Sequence, residues 1–468
     1  MAMENTTNSS DSRIEELSDS ELPTSEMEQV AMSAEEVSIP SLFTSHPPIK
    51  DNLVTITSEM QGETLAELLP YLMEPEGDLN VFGISSLIRK KHTRYLRHML
   101  EGPFPPQFVA ADATRPWMLY WALAAMTMLD VDVSEYRERI ISTCTPFQNK
   151  TGGFGGGHGQ FSHIATSYAS VLSIVMVGGQ EALDLIDRKA MWHWLGQMKQ
   201  KNGGFSVCEG GEIDIRGAYC SMTIISLLNL PLELPANSPA QVNGDETFLT
   251  NLEEWVSSCQ TYEGGIAGAP NNEAHGAYAF CALACLAIID TPSKIIPRCL
   301  NMPSLISWLS SQQHAPDSGF AGRTNKLVDG CYSHWVGGCW PIISAALSSS
   351  SQPQTDLWSR EGLIRFILCC CQQQKQGGLR DKPSKNPDSY HSCYVLAGLS
   401  TAQHYFGFQD QESFSVVRAS AGFGWSITGR ADVICDEDDW VKPVHPLFVV
   451  PFERAVECRK YFEEREGF

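Results

Sequence analysis

The chain has 468 residues, 43% of them hydrophobic, and a formal net charge of −22. That length supplies a large core or two ordinary domains, whereas the negative charge argues against a nucleic-acid partner, which would need a basic surface. The fifteen cysteines are scattered, and an odd number in a large chain is typical of reduced thiols rather than a disulfide framework.

Residues 1–60 form an acidic segment. It holds twelve Asp or Glu residues against Arg13 and Lys50, and it is poor in aromatic residues. Such a composition buries too little apolar surface to offset the entropy lost on ordering, so we expect a largely disordered segment. We see no secretion signal, and the longest apolar stretches, such as residues 277–289, are too short to span a bilayer. We therefore expect a cytoplasmic protein without a transmembrane segment.

Five segments share one plan: a Gln-bearing stretch, a glycine turn, a polar loop, and a tyrosine that opens an apolar helix. The shared tyrosines are Tyr168, Tyr219, Tyr278, Tyr332 and Tyr394. Their spacing has room for two helices per repeat, and no alternating strand pattern appears. The runs after the tyrosines are apolar nearly all round, which suits an inner ring covered by an outer one. We therefore predict an all-α fold, an α/α barrel over residues 61–430, with a C-terminal tail (431–468) packed on it.

Equivalent helices should begin at one rim of such a barrel, so residues at matched positions should converge there. The residue three before each tyrosine changes from Ala165 through Arg216 and His275 to Asp329 and His391. A structural position would repeat one small or apolar residue, so this polar, variable column indicates a functional rim. In this register, Asp329 and His391 occupy the same position in adjacent repeats.

The end of that column contains three types of zinc ligand. Asp329 and Cys331 are separated by one glycine, so both side chains can turn toward one ion, and His391 comes from the next repeat. Three protein ligands leave the fourth position open, as in catalytic zinc sites. A helix cap and a core histidine would explain the same residues without a metal, and Cys393 is a competing ligand.

Basic residues gather around the same rim. Arg216 and His275 come from adjacent repeats, and Arg323 and Lys326 lie three residues apart just before the candidate ligands. Cations concentrated at one rim of an acidic chain favour a diphosphate ligand, to which Tyr332 can also donate a hydrogen bond. Surface ion pairs would explain each cation singly, but explain the four together less well.

Aromatic residues recur at helix starts and on inner faces. They are Trp117, Trp121, Tyr168, Tyr219, Tyr278, Trp335 and Tyr394. Aromatic residues at such spacing usually form a core. Beside a cationic rim, they instead indicate an apolar well that could hold a hydrocarbon chain.

Four strings carry a resemblance to a known family: DATRPWMLYW, GGFGGGHGQ, GRTNKLVDGCYSHW and RDKPSKNPDSYHSCY. Over residues 60–450 the chain resembles the protein prenyltransferase beta-subunit family and, within it, the farnesyltransferases. The resemblance implies an α/α barrel held in a crescent-shaped alpha subunit. It also implies transfer of farnesyl from farnesyl diphosphate to the cysteine of a C-terminal Cys-aliphatic-aliphatic-X (CaaX) motif, in proteins such as small GTPases.

The resemblance assigns roles residue by residue. It implies zinc ligation by Asp329, Cys331 and His391, with Tyr332 and Lys326 taking part in catalysis. The implied contacts of the diphosphate and isoprenoid are His275, Arg323, Lys326, Tyr332, Arg216, Tyr219, Tyr278, Cys281, Trp335 and Trp117. The implied contacts of the peptide are Trp117, Trp121, His163, Ala165 and Tyr390. Asp381 matches a magnesium ligand that acts on the diphosphate, and the alpha subunit would add a lysine.

Three other functions remain open from the sequence. A type I geranylgeranyltransferase beta subunit is the nearest, although Asp381 and a well closed by Trp117 and Tyr394 favour the farnesyl donor. A terpene cyclase that protonates an alkene would need a D-x-D-D motif inside the barrel, and CDEDDW (435–440) lies in the tail instead. A non-catalytic helical-repeat binding protein would lack the metal.

Overall fold

The structure is a computed structural model, and it describes residues 53–104, 106–347, 356–409 and 419–465. Its regular structure is mainly helical, which confirms the predicted all-α class. One small antiparallel sheet, β1 (His404–Phe408) with β2 (Trp425–Arg430), was not predicted. The disorder expected for residues 1–60 falls largely outside the described ranges, but residues 56–60 lie in a helix that begins with a capping box at Thr55.

The helices are numbered in chain order: α1 (Ile56–Met73), α2 (Arg89–Glu101), α3 (Arg115–Met128), α4 (Arg137–Cys144), α5 (Ile164–Val177), α6 (Gln180–Leu183), α7 (Arg188–Met198), α8 (Ile215–Leu227), α9 (Leu252–Ser258), α10 (Gly276–Ile289), α11 (Pro292–Cys299), α12 (Met302–Ser311), α13 (Tyr332–Trp335), α14 (Cys339–Leu347), α15 (Arg360–Phe366), α16 (Ser389–Gln403) and α17 (Phe452–Glu463). In the part of the chain that the structure describes, every helix is too short or too polar to cross a membrane.

Within the described ranges, six helices form a closed inner ring. Each packs against the next, in the order α3, α5, α8, α10, α13 and α16, and α16 packs against α3. Four of them, α5, α8, α10 and α16, are buried nearly all round: in α5, for example, every residue except Ala165 is buried. A helix without a polar face needs cover on all sides, which the neighbouring inner helices and the outer helices provide. The predicted α/α barrel is therefore confirmed.

In four of the five repeats, the glutamine of the motif ties the repeat to the start of the next outer helix. Its side-chain oxygen accepts a hydrogen bond from a backbone N–H, in the pairs Gln148–Asp187, Gln260–Asn301, Gln313–Ser359 and Gln372–Ile88. The last pair joins the fifth repeat to α2, so the same bond closes the ring. The second repeat has Lys199 at this position, and its buried ammonium donates to the Gly203 carbonyl at 2.7 Å.

The C-terminal segment is hydrogen-bonded to the inner helices. The Tyr219 hydroxyl donates to the Leu447 carbonyl at 2.6 Å, and the Tyr120 hydroxyl donates to the Val449 carbonyl at 3.2 Å. Nearby, His445 is fully buried. Its Nδ1 accepts backbone N–H groups and its Nε2–H donates to the Gly422 carbonyl, so its ring must be neutral.

Because the ring of His445 is neutral in the folded protein, we expect the stability of the protein to fall in acid. Burial lowers the pKa of His445 to about 3, against about 6.5 for the unfolded chain. The unfolded chain therefore binds the proton at a higher pH than the folded protein does. The contribution of neutral His445 to the free energy of unfolding is complete above pH 6.5. It falls by about 1.4 kcal/mol per pH unit as the pH drops toward 3. We expect thermal unfolding midpoints between pH 7.5 and 5.5 to fall less steeply in His445→Gln than in the unmodified protein. The exposed His158→Gln should leave the slope unchanged, and equal slopes in all three proteins would contradict the prediction.

Candidate active site

At or just before the start of the inner helices α5, α8, α10, α13 and α16 lies a polar residue whose side chain accepts a backbone N–H group two or three residues further on. For α13 this residue lies two positions before the helix N-cap, Cys331. These cap residues are His163, Asp214, His275, Asp329 and Asp388. Such bonds satisfy N–H groups that the first helical turn leaves unpaired. The caps match Asp329 with Asp388, so the predicted equivalence of Asp329 and His391 is wrong by three residues. The tyrosine used to align the repeats lies at a variable distance from the cap, which explains the error.

The three predicted metal ligands nevertheless converge. One ligand atom each from Asp329, Cys331 and His391 lies within 4.8 Å of the other two. Nε2 of His391 lies 3.2 Å from Oδ1 of Asp329, and Cys331 is buried. A carboxylate, a thiol and an imidazole form a donor set that suits zinc. Cys393 is buried in α16 and lies outside this cluster.

Asp388 orients the histidine of the cluster, and the sequence reasoning missed it. One oxygen accepts the backbone N–H of His391, and the other lies 2.7 Å from Nδ1 of the same residue. A carboxylate on one imidazole nitrogen directs the other nitrogen toward a metal. Burial alone would lower the pKa of His391, but the bonds with Asp329 and Asp388 raise it to about 10. A metal ion would therefore displace a proton from Nε2.

The Cys331 thiol contacts Tyr390, which is itself hydrogen-bonded to Trp335. Burial raises the pKa of Cys331 well above its usual value, with a further rise from the Asp329 charge, while a hydrogen bond with Tyr390 opposes the rise. Nε1–H of Trp335 donates to the Tyr390 hydroxyl at 3.0 Å. Two residues predicted to contact different substrates, Trp335 and Tyr390, therefore meet beside the candidate metal ligands.

His275 is a neutral hydrogen-bonding residue rather than one of the cations. Its Nδ1 accepts the Ala277 N–H at 3.0 Å, and its Nε2 lies 3.2 Å from the Tyr332 hydroxyl. Burial, assisted by the Arg323 charge, lowers the pKa of His275 to about 4. His275 can therefore donate one hydrogen bond to an anion but contributes no positive charge, which corrects its grouping with the basic residues.

Two of the three basic residues predicted at the rim are paired with carboxylates. Nη1 of Arg323 lies 2.8 Å from the Glu273 carboxylate. Arg216 forms an ion pair with Asp214 and stacks above the Tyr278 ring, 5.7 Å from its centre. The Lys326 side chain is exposed on the same loop as Arg323.

Asp381 lies beside the metal-ligand cluster. Its backbone carbonyl accepts the Gly330 N–H at 2.9 Å, and its Oδ1 accepts a bond of 2.5 Å from the buried ammonium of Lys382. Burial raises the pKa of Asp381, and the nearby Asp329 charge raises it further. Magnesium is commonly held by one or two carboxylates together with substrate phosphates, so this single carboxylate fits such a role.

Eight aromatic side chains form a closed belt around the interior, with neighbouring ring centres 4.4 to 5.7 Å apart. In order, the belt contains Trp117, Tyr168, Tyr219, Phe280, Trp335, Tyr394, Tyr390 and Trp121. Phe280 had not been singled out from the sequence, although it follows Tyr278 and precedes the buried Cys281 in α10. The Tyr390 ring lies 5.0 Å from His391, so the belt reaches the metal-ligand cluster.

The peptide contacts predicted at the first repeat lie at the start of α5. His163 caps this helix through Nδ1, and Ala165 donates the N–H that it accepts. Trp117 and Trp121 stack on each other on the neighbouring helix α3, at 5.4 Å. The Trp121 ring also lies 5.3 Å from the Tyr390 ring, which places this tryptophan pair next to the residue beside the cluster.

Comparisons with known proteins identify the family. Residues 87–450 match the prenyltransferase alpha-alpha toroid domain. A protein farnesyltransferase subunit beta from Pyricularia oryzae is 52% identical over 450 residues, covering 92% of this chain and 85% of that protein. The corresponding subunit from Schizosaccharomyces pombe is 36% identical and covers 88% of this chain and 98% of that protein. The solved Candida albicans protein geranylgeranyltransferase-I, complexed with GGPP, is 19% identical with a TM-score of 0.59, over 82% of this chain and 100% of that one, and so shows the fold alone.

The closed ring of helix pairs and the domain match define the chain as a prenyltransferase alpha-alpha toroid protein. At 52% and 36% identity over most of its length, it belongs to the protein farnesyltransferase subunit beta family.

Proposed function

We propose that this chain is the catalytic subunit of a heterodimeric protein farnesyltransferase, which transfers farnesyl from farnesyl diphosphate to the cysteine of a CaaX motif. The observation that carries the proposal is the Asp329, Cys331 and His391 cluster. It lies at the junction of an aromatic belt, which suits a hydrocarbon chain, and a rim of basic residues, which suits a diphosphate.

A zinc ion held by these three residues would supply Lewis acidity, which lowers the pKa of a substrate thiol toward neutrality. The aromatic belt would hold the isoprenoid, with Tyr278, Arg216 and Cys281 beside it, and would exclude water from the reacting carbon. The thiolate sulfur forms a bond to the first carbon of the isoprenoid as the bond from that carbon to the diphosphate oxygen breaks. The electron pair leaves with the diphosphate.

The rim residues would stabilise the charge that builds on the leaving diphosphate. Arg323 and Lys326 would supply positive charge, and His275 and Tyr332 would supply hydrogen bonds. Asp381, paired with Lys382, would hold magnesium against the same group. The acceptor peptide would contact Trp117, Trp121, His163, Ala165 and Tyr390.

We further propose that the partner is an alpha subunit, which adds a lysine at the diphosphate. We also propose a cytoplasmic location. Small GTPases with CaaX ends are the proposed class of substrate. The division into a segment 1–60, a catalytic barrel 61–430 and a tail 431–468 also remains a proposal, adjusted for the helix that begins at Ile56.

A donor competition tests the proposed reaction. The full chain, co-expressed with an alpha subunit, is given equal farnesyl and geranylgeranyl diphosphate and peptides ending in Met, Ser or Leu. We expect farnesyl rather than geranylgeranyl transfer, because Trp117 and Tyr394 narrow the well. Mass spectrometry of the peptides reads the result. Preferred geranylgeranyl transfer to the Leu peptide would instead assign a type I geranylgeranyltransferase, and no transfer at all would favour a binding protein.

A further inference from the structure

Two cations of the candidate diphosphate site are already paired with carboxylates of this chain. Arg323 is paired with Glu273 at 2.8 Å, and Arg216 is paired with Asp214. Among the residues that the structure describes, Lys326 has no ion-pair partner. A diphosphate that binds at this rim therefore meets one available cation and two that are partly neutralised.

The Glu273 pair differs from the Asp214 pair in how firmly it is held. Asp214 is buried and caps α8, so its carboxylate has a structural use that is independent of any ligand. The Glu273 side chain is 54% exposed and the Arg323 side chain is 38% exposed, and Glu273 has no cap to serve. An ion pair open to water is weak, so a multiply charged ligand can displace it.

The backbone holds the two partners close to the proposed ligand groups. Gly276 N–H donates to the Gly322 carbonyl at 2.8 Å, which ties the loop that carries Arg323 to the start of α10. Glu273 lies two residues before His275, whose ring contacts Tyr332. The Arg323 and Glu273 charges both reach His275, since the first lowers the pKa of that histidine and the second raises it. The carboxylate thus lies within the electrostatic range of the site.

A carboxylate at this place opposes an anionic ligand in two ways. It repels the diphosphate directly, and it occupies the guanidinium that would otherwise bind phosphate oxygens in a bidentate way. After the diphosphate leaves, the Glu273 carboxylate is placed to form its ion pair with Arg323 again.

We propose that Glu273 is a positioning residue whose carboxylate competes with diphosphate for the guanidinium of Arg323. It holds the guanidinium at the rim while the site is empty, is displaced when diphosphate arrives, and weakens the binding of both the donor and the diphosphate product. The proposal rests on the proposed function, because it takes Arg323 to be a diphosphate contact.

The test measures binding of inorganic diphosphate and farnesyl diphosphate to the heterodimer by calorimetry. Glu273→Gln should bind inorganic diphosphate about three- to twentyfold more tightly, with the gain shrinking as salt is added. The matched control is Glu263→Gln, which removes the same charge from a residue whose carboxylate accepts a bond from Thr324 rather than from a cation. We expect less than a twofold change there. In turnover, Glu273→Gln should lower the KM for the donor without raising kcat.

A double-mutant cycle shows whether the effect passes through Arg323. In an Arg323→Gln background, the change at Glu273 should add no more than the Glu263 control does. Unchanged or weaker diphosphate binding by Glu273→Gln, or a full gain without Arg323, would overturn the proposal while leaving the proposed function intact. A wild-type heterodimer that binds neither diphosphate would overturn the proposed function, and this inference with it.

Discussion

Replacing Cys331 with alanine is expected to abolish metal retention and to lower farnesyl transfer by about three orders of magnitude, since Lewis-acid activation accounts for several kcal/mol of the barrier. The substitution leaves only Asp329 and His391 as ligands, and two ligands hold zinc poorly. Binding of farnesyl diphosphate should survive, because the aromatic belt and the basic rim remain. Elemental analysis, donor binding and single-turnover transfer measure the three effects separately.

Cys393→Ala is the matched control for this substitution. Cys393 is also a buried cysteine of an inner helix, two residues beyond His391, but it lies outside the cluster. Its loss should reduce thermal stability slightly through lost packing and leave metal content and transfer unchanged. A Cys331→Ala enzyme with stoichiometric zinc and wild-type transfer would show that the ligand assignment is wrong.

Replacing Asp388 is expected to weaken metal binding by about 10- to 100-fold, as is usual for a carboxylate that orients a ligating histidine. Asp388→Asn keeps an oxygen that can cap α16 but removes the negative charge from Nδ1 of His391. Asp388→Ala removes both, so it should additionally destabilise the protein by about 1 kcal/mol through the lost cap. Competition with a chelator measures the metal affinity, and thermal unfolding measures the cap.

Asp187→Asn is the control that separates helix capping from the orientation of a metal-ligating histidine. Asp187 caps the outer helix α7 by accepting the Ala190 N–H, far along the chain from any candidate ligand. It should leave metal affinity unchanged. If Asp388→Asn retained zinc as tightly as the Asp187 variant, Asp388 would be a helix cap and nothing more.

The barrel could be predicted because the sequence motifs that form it recur along the chain. Each repeat carries a glycine turn and an apolar run, four of the five carry the same glutamine, and these glutamines join successive repeats, with Gln372 closing the ring at Ile88. The metal ligands could also be predicted, although for a partly wrong reason. Their residue types were correct, but Asp329 matches Asp388 rather than His391, because the tyrosines used for the alignment lie at different distances from the helix caps.

The partners of the site residues could not be predicted, because they depend on distances in space. The sequence gives no sign that Glu273 lies against Arg323, 50 positions away. The neutral state of His275 likewise follows from its Nδ1 accepting a backbone N–H, which only the cap geometry reveals. Asp388 was within reach of a sequence argument, since a carboxylate three residues before a ligating histidine at a helix start can bond both its backbone and its ring.

The most direct test of the central claim is the metal content of the purified heterodimer, measured together with transfer to a CaaX peptide. We expect one zinc per heterodimer, and we expect chelation to remove zinc and farnesyl transfer in parallel, with both restored when zinc is returned. A heterodimer that transfers farnesyl at an undiminished rate with no zinc bound would contradict the claim.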